Sequence, residues 1–331
     1  MESHKQQHRL SKAPRIMLRV LLILLAVLLA WALLHQLLSI GVRNNAERIG
    51  TETQVRGKDM NVYACGSGTR TIVLMPGLGT AAPVLDFAPL TEKLSAHNRV
   101  VVAEPFGYGW SAMTDEERSV ENIVEELRTA LAEAGETPPY VLMPHSVSGI
   151  YATWYAAQYP EEVAAIIGID CTLPRQTAYF DGAAPSIPGI AALANPLGLV
   201  RLVCLISPET LISSNRGGAY SAENLRLQKR LASATGYNRT VIHECNALEA
   251  NIEQTKDLTF RPDLPLLFIT RPDSDRVARA DGKTTLGFYE TYLTNPTCQK
   301  IRTFSAGHYM HWTRSAEIAE AADAFLMDLP A

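Results

Sequence analysis

Apolar and polar positions along this chain fall into two regimes. Val20–Leu34 is fifteen apolar residues without a charge, and Ile16–Leu18 and Leu37–Val42 extend the run on both sides. Counted from Ile16 to Val42, it exceeds the roughly 20 residues that cross about 30 Å of hydrocarbon. From residue 51 onward, short apolar runs alternate with stretches of helical periodicity. Gln54–Arg56 and Met60–Cys65 read as two strands around a turn at Gly57-Lys58-Asp59. Thr71–Met75, Arg99–Ala103, Tyr140–Met143, Val163–Ile169, Leu264–Thr270 and Gln299–Phe304 read as buried strands. Between them the spacing predicts helices over Leu85–His97, Val120–Ala134, Gly149–Tyr159, Leu286–Leu293 and Ser315–Leu329. Strands separated by helices of this length mean a mostly parallel sheet of eight strands, covered on both faces.

That rhythm stops between Pro174 and about Phe260, where helix-like stretches near Ile190–Ile206, Ser221–Ala234 and Arg239–Gln254 replace the strands. The chain therefore divides into a basic tail (1–15), a transmembrane signal-anchor helix (16–42) and a linker (43–50). An α/β core follows (51–173 and 260–331), interrupted by a helical cap (174–259). Lys5, Arg9, Lys12, Arg15 and Arg19 lie upstream or at the start of the apolar run, whereas Arg43, Glu47 and Arg48 beyond it are few and mixed. The positive-inside rule puts the N-terminus in the cytoplasm and the body on the far side of the membrane. The small-x-small sequence Ala30-Trp31-Ala32 would suit a cleaved signal peptide. The run continues past it, which favours an uncleaved anchor, and both readings place the body in one compartment.

At 47% hydrophobic and 19% charged, the chain builds a sizeable core, which excludes disorder. The net charge of −4 hides an uneven split: residues 1–48 hold seven Lys/Arg against two Asp/Glu, the remainder 23 against 32. A body so acidic lacks the footprint of a nucleic-acid binder. Five scattered cysteines without a C-x-x-C pair indicate neither zinc nor a disulfide framework.

Candidate chemistry concentrates where strands end. In Val141-Leu142-Met143-Pro144-His145-Ser146-Val147-Ser148-Gly149 a strand runs straight into a helix with a serine at the corner. A nucleophile there needs a tight turn with small residues two before and two after it, usually G-x-S-x-G. Pro144 and Ser148 replace both glycines. Alone, Ser146 could equally be a helix N-cap. A serine nucleophile also needs a base, and His308 in Ala306-Gly307-His308-Tyr309-Met310-His311 follows the last strand. His311 reads as supporting structure, and His145 as packed beneath the corner. An oxyanion would be held by the backbone N–H of Val147 and that of Leu78, in the Pro76-Gly77-Leu78-Gly79 loop after the third strand.

Leu74–Gly79, Glu104–Ser111, His145–Gly149 and Gly307–His311 follow in an order and spacing that resemble the α/β-hydrolase superfamily over residues 51–331. More narrowly, Pro-His-Ser-Val-Ser-Gly and Ala165-Ile166-Ile167-Gly168-Ile169-Asp170 resemble membrane-anchored bacterial hydrolases with a P-H-S-M-S-G elbow. The resemblance implies the α/β-hydrolase fold and a Ser-His-acid triad, without a substrate. Glu104 stands where the superfamily more often has Asp. For the acid, the usual position after the seventh strand offers Asp275 or Asp273 in Thr270-Arg271-Pro272-Asp273-Ser274-Asp275-Arg276, whereas Asp170 ends the sixth strand. Asp170 is favoured, because relatives with this elbow carry it.

The expected activity is hydrolysis of a carboxylic ester or related acyl substrate, a small molecule, with no cofactor or metal. A serine acyltransferase or peptidase would use the same groups, and an inactive receptor or scaffold would keep the fold alone. Epoxide hydrolase and dehalogenase chemistry is disfavoured, since those enzymes place aspartate at the elbow. The apolar run lacks G-x-x-x-G, so the oligomeric state is not indicated.

Overall fold

In the computed structural model, residues 12–43 and 47–329 are described; Lys5, Arg9 and the junction 44–46 fall outside them. Eight strands form one sheet: β1 (Thr51–Val55), β2 (Lys58–Cys65), β3 (Thr71–Met75), β4 (Arg99–Ala103), β5 (Tyr140–Pro144), β6 (Val163–Ile169), β7 (Leu266–Thr270) and β8 (Gln299–Thr303). Their order is β1-β2-β4-β3-β5-β6-β7-β8. The first hairpin pairs antiparallel with itself and with β4, and every later neighbour is parallel. The hairpin turns one residue earlier than its sequence suggests. Arg56 and Gly57, both at positive φ, make a two-residue turn whose twist suits a hairpin, so Lys58 and Asp59 join β2.

Eleven α-helices are described: α1 (Lys12–Arg43), α2 (Pro83–Asp86), α3 (Ala88–Leu94), α4 (Val120–Glu133), α5 (Ser148–Gln158), α6 (Gln176–Tyr179), α7 (Leu199–Ile206), α8 (Ala222–Thr235), α9 (Arg239–Thr255), α10 (Thr285–Glu290) and α11 (His311–Met327). Alternation along the strands sends side chains to two cores. Val73, Val101, Leu142 and Ile166 meet α4, α5 and α10, while Ile72, Val102, Met143 and Ile167 meet α3 and α11. Two expected helices are broken. Leu85–His97 splits into α2 and α3 around Phe87, with Pro89 at the start of the second. Ile190–Ile206 splits into a 3-10 turn at Gly189–Leu193 and α7, with Pro196 between them, where a helix would lose an N–H.

Within α1, the 29 residues Pro14–Val42 are long and apolar enough to cross a membrane, and none of their most apolar stretch is buried against the body. Between β6 and β7 the chain is helical, with α8 returning to pack on α2 beyond β3 and the start of α9 on the loop after β4. Asn224 Nδ2 donates to Leu85 O (3.0 Å) and Asn238 Nδ2 to Gly107 O (2.6 Å).

Candidate active site

Three loops leaving the parallel strands at their carboxyl ends converge on one point, where doubly wound sheets bind ligands. The turn after β5 holds Ser146 at φ +53°, in the left-handed region a non-glycine residue rarely occupies. That strain is what a sharp strand-to-helix corner requires, and it lifts the hydroxyl above the sheet. The corner closes without its flanking glycines because Ser148 Oγ donates to Pro76 O (2.5 Å) and Pro144 pairs as the last residue of β5. Beside it, Gly77 is indispensable: a Cβ there would stand 2.8 Å from His145 Nδ1 and 2.9 Å from Ser146 Cβ.

His308 links the other two loops. Its Nε2 lies 2.9 Å from Ser146 Oγ and its Nδ1 2.8 Å from Asp170 Oδ2. The arrangement has Nδ1–H donating to the carboxylate and Nε2 accepting from the serine hydroxyl. Asp170, at the end of β6, is buried and also accepts from Thr270 Oγ1 (2.7 Å) and Arg276 Nη2 (2.7 Å), with Arg271 Nε 3.3 Å away. Burial alone would raise its pKa. The bonds and charge from His308, Thr270 and Arg276 outweigh that and hold the carboxyl well below the ordinary range. Asp275 instead lies exposed in a 3-10 turn, and Asp273 Oδ1 accepts from the Thr285 and Leu286 N–H groups at the start of α10. The loop after β7 thus sends its arginines to the site, and its aspartates elsewhere.

Beneath the corner, His145 is fully buried and its Nε2 donates to the His308 carbonyl (3.1 Å), fixing the loop that carries the imidazole. Burial, with His311 and His308 nearby, pushes its pKa well down, so the ring is neutral. His311 Nε2 (2.6 Å) and Trp312 Nε1 (2.7 Å) converge on the buried carboxylate of Asp86, tying α11 to the α2 segment.

Leu78 and Val147 flank Ser146 in a cavity of roughly 320 Å³ whose walls include Ile150, Phe180, Pro185, Leu248 and Ile252. Neither the Leu78 nor the Val147 N–H makes a backbone hydrogen bond among the described residues. The next residue, Gly79, donates to Tyr108 Oη (3.2 Å), which donates to Glu244 Oε2 (2.8 Å); Tyr151 Oη donates to Glu244 Oε1 (2.9 Å). Glu244 of α9 therefore joins the loop after β3, the loop after β4 and the helix after the serine. Burial pushes its carboxyl up against the opposing pull of Arg118 and the two tyrosines. Sequence reasoning missed this residue. Its signal was an acid among Val241, Cys245 and Leu248, on the apolar face of an otherwise ordinary amphipathic helix.

Glu104, at the end of β4, is buried too and accepts from Asn61 Nδ2 (3.0 Å), Trp110 N (2.8 Å) and Val84 N (3.2 Å). It shapes the Phe106–Ser111 turn and lies apart from the serine. Burial pushes its pKa up to about 7 against these three donors.

The family profile for the alpha/beta hydrolase fold matches residues 70–186. Among curated proteins, the uncharacterized protein YbdG of Bacillus subtilis (strain 168) is 46% identical over 127 residues, 38% of this chain and 39% of that protein. An uncharacterized protein of Schizosaccharomyces pombe is 38% identical over 77 residues, 23% of this chain and 14% of that protein. The chain thus spans well under half the length of these curated relatives. Among solved structures, Cfl2 from Burkholderia cenocepacia superposes with a TM-score of 0.60 at 20% identity, covering 83% of this chain and 94% of that one. Epoxide hydrolase VrEH1 from Vigna radiata gives 0.63 at 16%, covering 84% and 98%. The profile match over residues 70–186, these superpositions and the eight-stranded, mostly parallel sheet agree: the chain has the α/β-hydrolase fold.

Proposed function

We propose that this protein is a membrane-anchored serine hydrolase acting on a carboxylic ester or related acyl substrate. The observation that carries this reading is the His308 ring, hydrogen-bonded through one nitrogen to Ser146 and through the other to Asp170. In this mechanism His308 takes the Ser146 proton as Oγ attacks the substrate carbonyl. The Leu78 and Val147 N–H groups hold the oxyanion, and Asp170 keeps the imidazole in the required tautomer and steadies its positive charge. The leaving group takes the proton back from His308, and water, activated by the same ring, releases the acid from the acyl-enzyme. The apolar walls of the cavity suit an acyl chain. Residues 174–259 act as the cap over it, and α1 as the anchor, with the body outside the cytoplasm.

A serine at position 146 favours acyl transfer to water over the epoxide chemistry named for some structural neighbours, whose likeness at 14–16% identity carries the fold alone. A fluorophosphonate probe should label the wild-type chain and leave Ser146→Ala unlabelled and inactive on short esters; equal labelling of both would refute the assignment.

A further inference from the structure

The 29-residue span Pro14–Val42 of α1, at 1.5 Å per residue, runs to roughly 43 Å, about 13 Å more than a bilayer's hydrocarbon. The end that carries His35, Gln36 and Ser39 is docked on the body. Trp31 Nε1 donates to Gly198 O (3.2 Å) and Gln36 Nε2 to Pro196 O (2.8 Å), while Arg201 donates to His35 Nδ1 (3.0 Å) and Ser39 Oγ (3.1 Å). The approach is so close that a Cβ on Gly198 would stand 2.8 Å from both Trp31 and His35. Glu47, just beyond α1, pairs with Arg226 (2.7 Å) and Arg230 of α8.

The docked segment carries an apolar face with no protein over it. Ile190 (78% exposed), Leu193, Leu202, Val203, Leu205 and Ile206 (82%) all face outward, and the one charge of α7, Arg201, is turned toward α1. Soluble surfaces rarely gather so many large apolar side chains in one stretch. The same stretch begins a few residues after Pro185, a wall of the Ser146 cavity, and Asn246 pins the intervening Ile187 through its N–H (2.8 Å) and C=O (2.9 Å).

We propose that the apolar face of residues 190–206 is a second membrane contact, seated in the boundary between headgroups and acyl chains beside α1, so that the cavity receives a lipophilic ester from the bilayer. The proposal rests on α1 being a membrane anchor. Continuity with α1 selects lipid over a protein partner. The two surfaces are fixed to each other and equally bare, and one apolar medium covers both, whereas a partner chain seated on 190–206 would itself have to avoid the bilayer around α1.

The test uses the full-length chain in phosphatidylcholine vesicles, with Cys65→Ser and Cys298→Ser removing the two partly exposed thiols. A polarity-sensitive fluorophore is attached at Leu24→Cys in α1, at Ile206→Cys, or at the 95% exposed Val277→Cys as an aqueous control. Brominated lipids should quench the probes at 24 and 206 and spare that at 277. Quenching at 24 but not at 206 would overturn the inference and leave the anchor standing; no quenching at 24 would overturn both. Disulfide-linked dimers through position 206, with no quenching there, would assign the face to a second copy and overturn the proposal. The variant Leu205→Glu/Ile206→Glu should lower turnover of a vesicle-embedded long-chain ester by about tenfold, with a soluble short ester and fluorophosphonate labelling changed less than about twofold. Equal loss on both esters would count against a membrane role for the face.

Discussion

Removing one oxygen, by Tyr108→Phe, tests whether α9 holds in place the loop that carries Leu78, the proposed oxyanion donor. The hydroxyl receives the Gly79 N–H at 3.2 Å and donates to Glu244 at 2.8 Å, with the ring fully buried. Losing the bond to a buried carboxyl costs about 1–3 kcal/mol, and a stranded backbone N–H about another 1 kcal/mol, so unfolding in urea should report a loss of about 2–4 kcal/mol. Stripping an oxyanion donor outright costs about a hundred- to a thousandfold in kcat; loosening the loop that carries Leu78 should cost about tenfold, with KM little changed. Tyr151→Phe is the control. Tyr151 donates to the other oxygen of Glu244 at 2.9 Å without touching the loop, so it should lose only about 1–3 kcal/mol and keep kcat. Esterase kinetics and urea titrations of both variants decide the matter. If the two lose kcat alike, or if Tyr108→Phe keeps it, the loop does not depend on Glu244 for its position.

Three further outcomes follow from the same geometry. Asp170→Asn should lower kcat/KM by roughly a thousand- to ten-thousandfold through loss of the imidazole's orientation. Asp275→Asn should leave it unchanged, while Asp273→Asn should cost only stability, about 0.5–2 kcal/mol, because it caps α10. Because Glu104 keeps its proton up to about pH 7 when folded and only to about 4.5 when unfolded, the folded state binds more protons across that window. Stability should therefore fall as pH rises from 4.5 to 7, by about 3 kcal/mol, and Glu104→Gln should flatten the dependence measured by urea unfolding at stepped pH. In Gly77→Ala the new methyl meets the rigid His145 ring and the Ser146 Cβ, so thermal melting should show about 1–3 kcal/mol of destabilisation together with a displaced Ser146 and slower probe labelling.

The sheet was legible because period and length agree there. Thr71–Met75, Arg99–Ala103 and Val163–Ile169 form strands over the same bounds the sequence predicts. The candidate site's geometry was legible because chemistry at strand ends comes from few residue types: Ser146, His308 and Asp170 each follow a strand and meet in space. What a linear reading missed is what depends on distant segments. Arg271 and Arg276 were visible only as neighbours of two candidate acids, and nothing local shows that their guanidiniums turn back to Asp170. Glu244 reaches Tyr108 across 136 positions, a pairing no local periodicity encodes. The break of Ile190–Ile206 was written in Pro196, but the apolar run around it masked the signal.

The three groups of the site are not equally supported by the sheet. Serine and aspartate stand on β5 and β6, each paired on both sides, whereas the histidine follows β8, an edge strand with a single neighbour and half-exposed residues. If the three act as proposed, heating should free His308 while Ser146 and Asp170 are still in register, so that turnover fades several degrees below the temperature at which the fold itself melts. On that reading the edge strand acts as a thermal fuse, letting the imidazole go before the strands that carry Ser146 and Asp170 part.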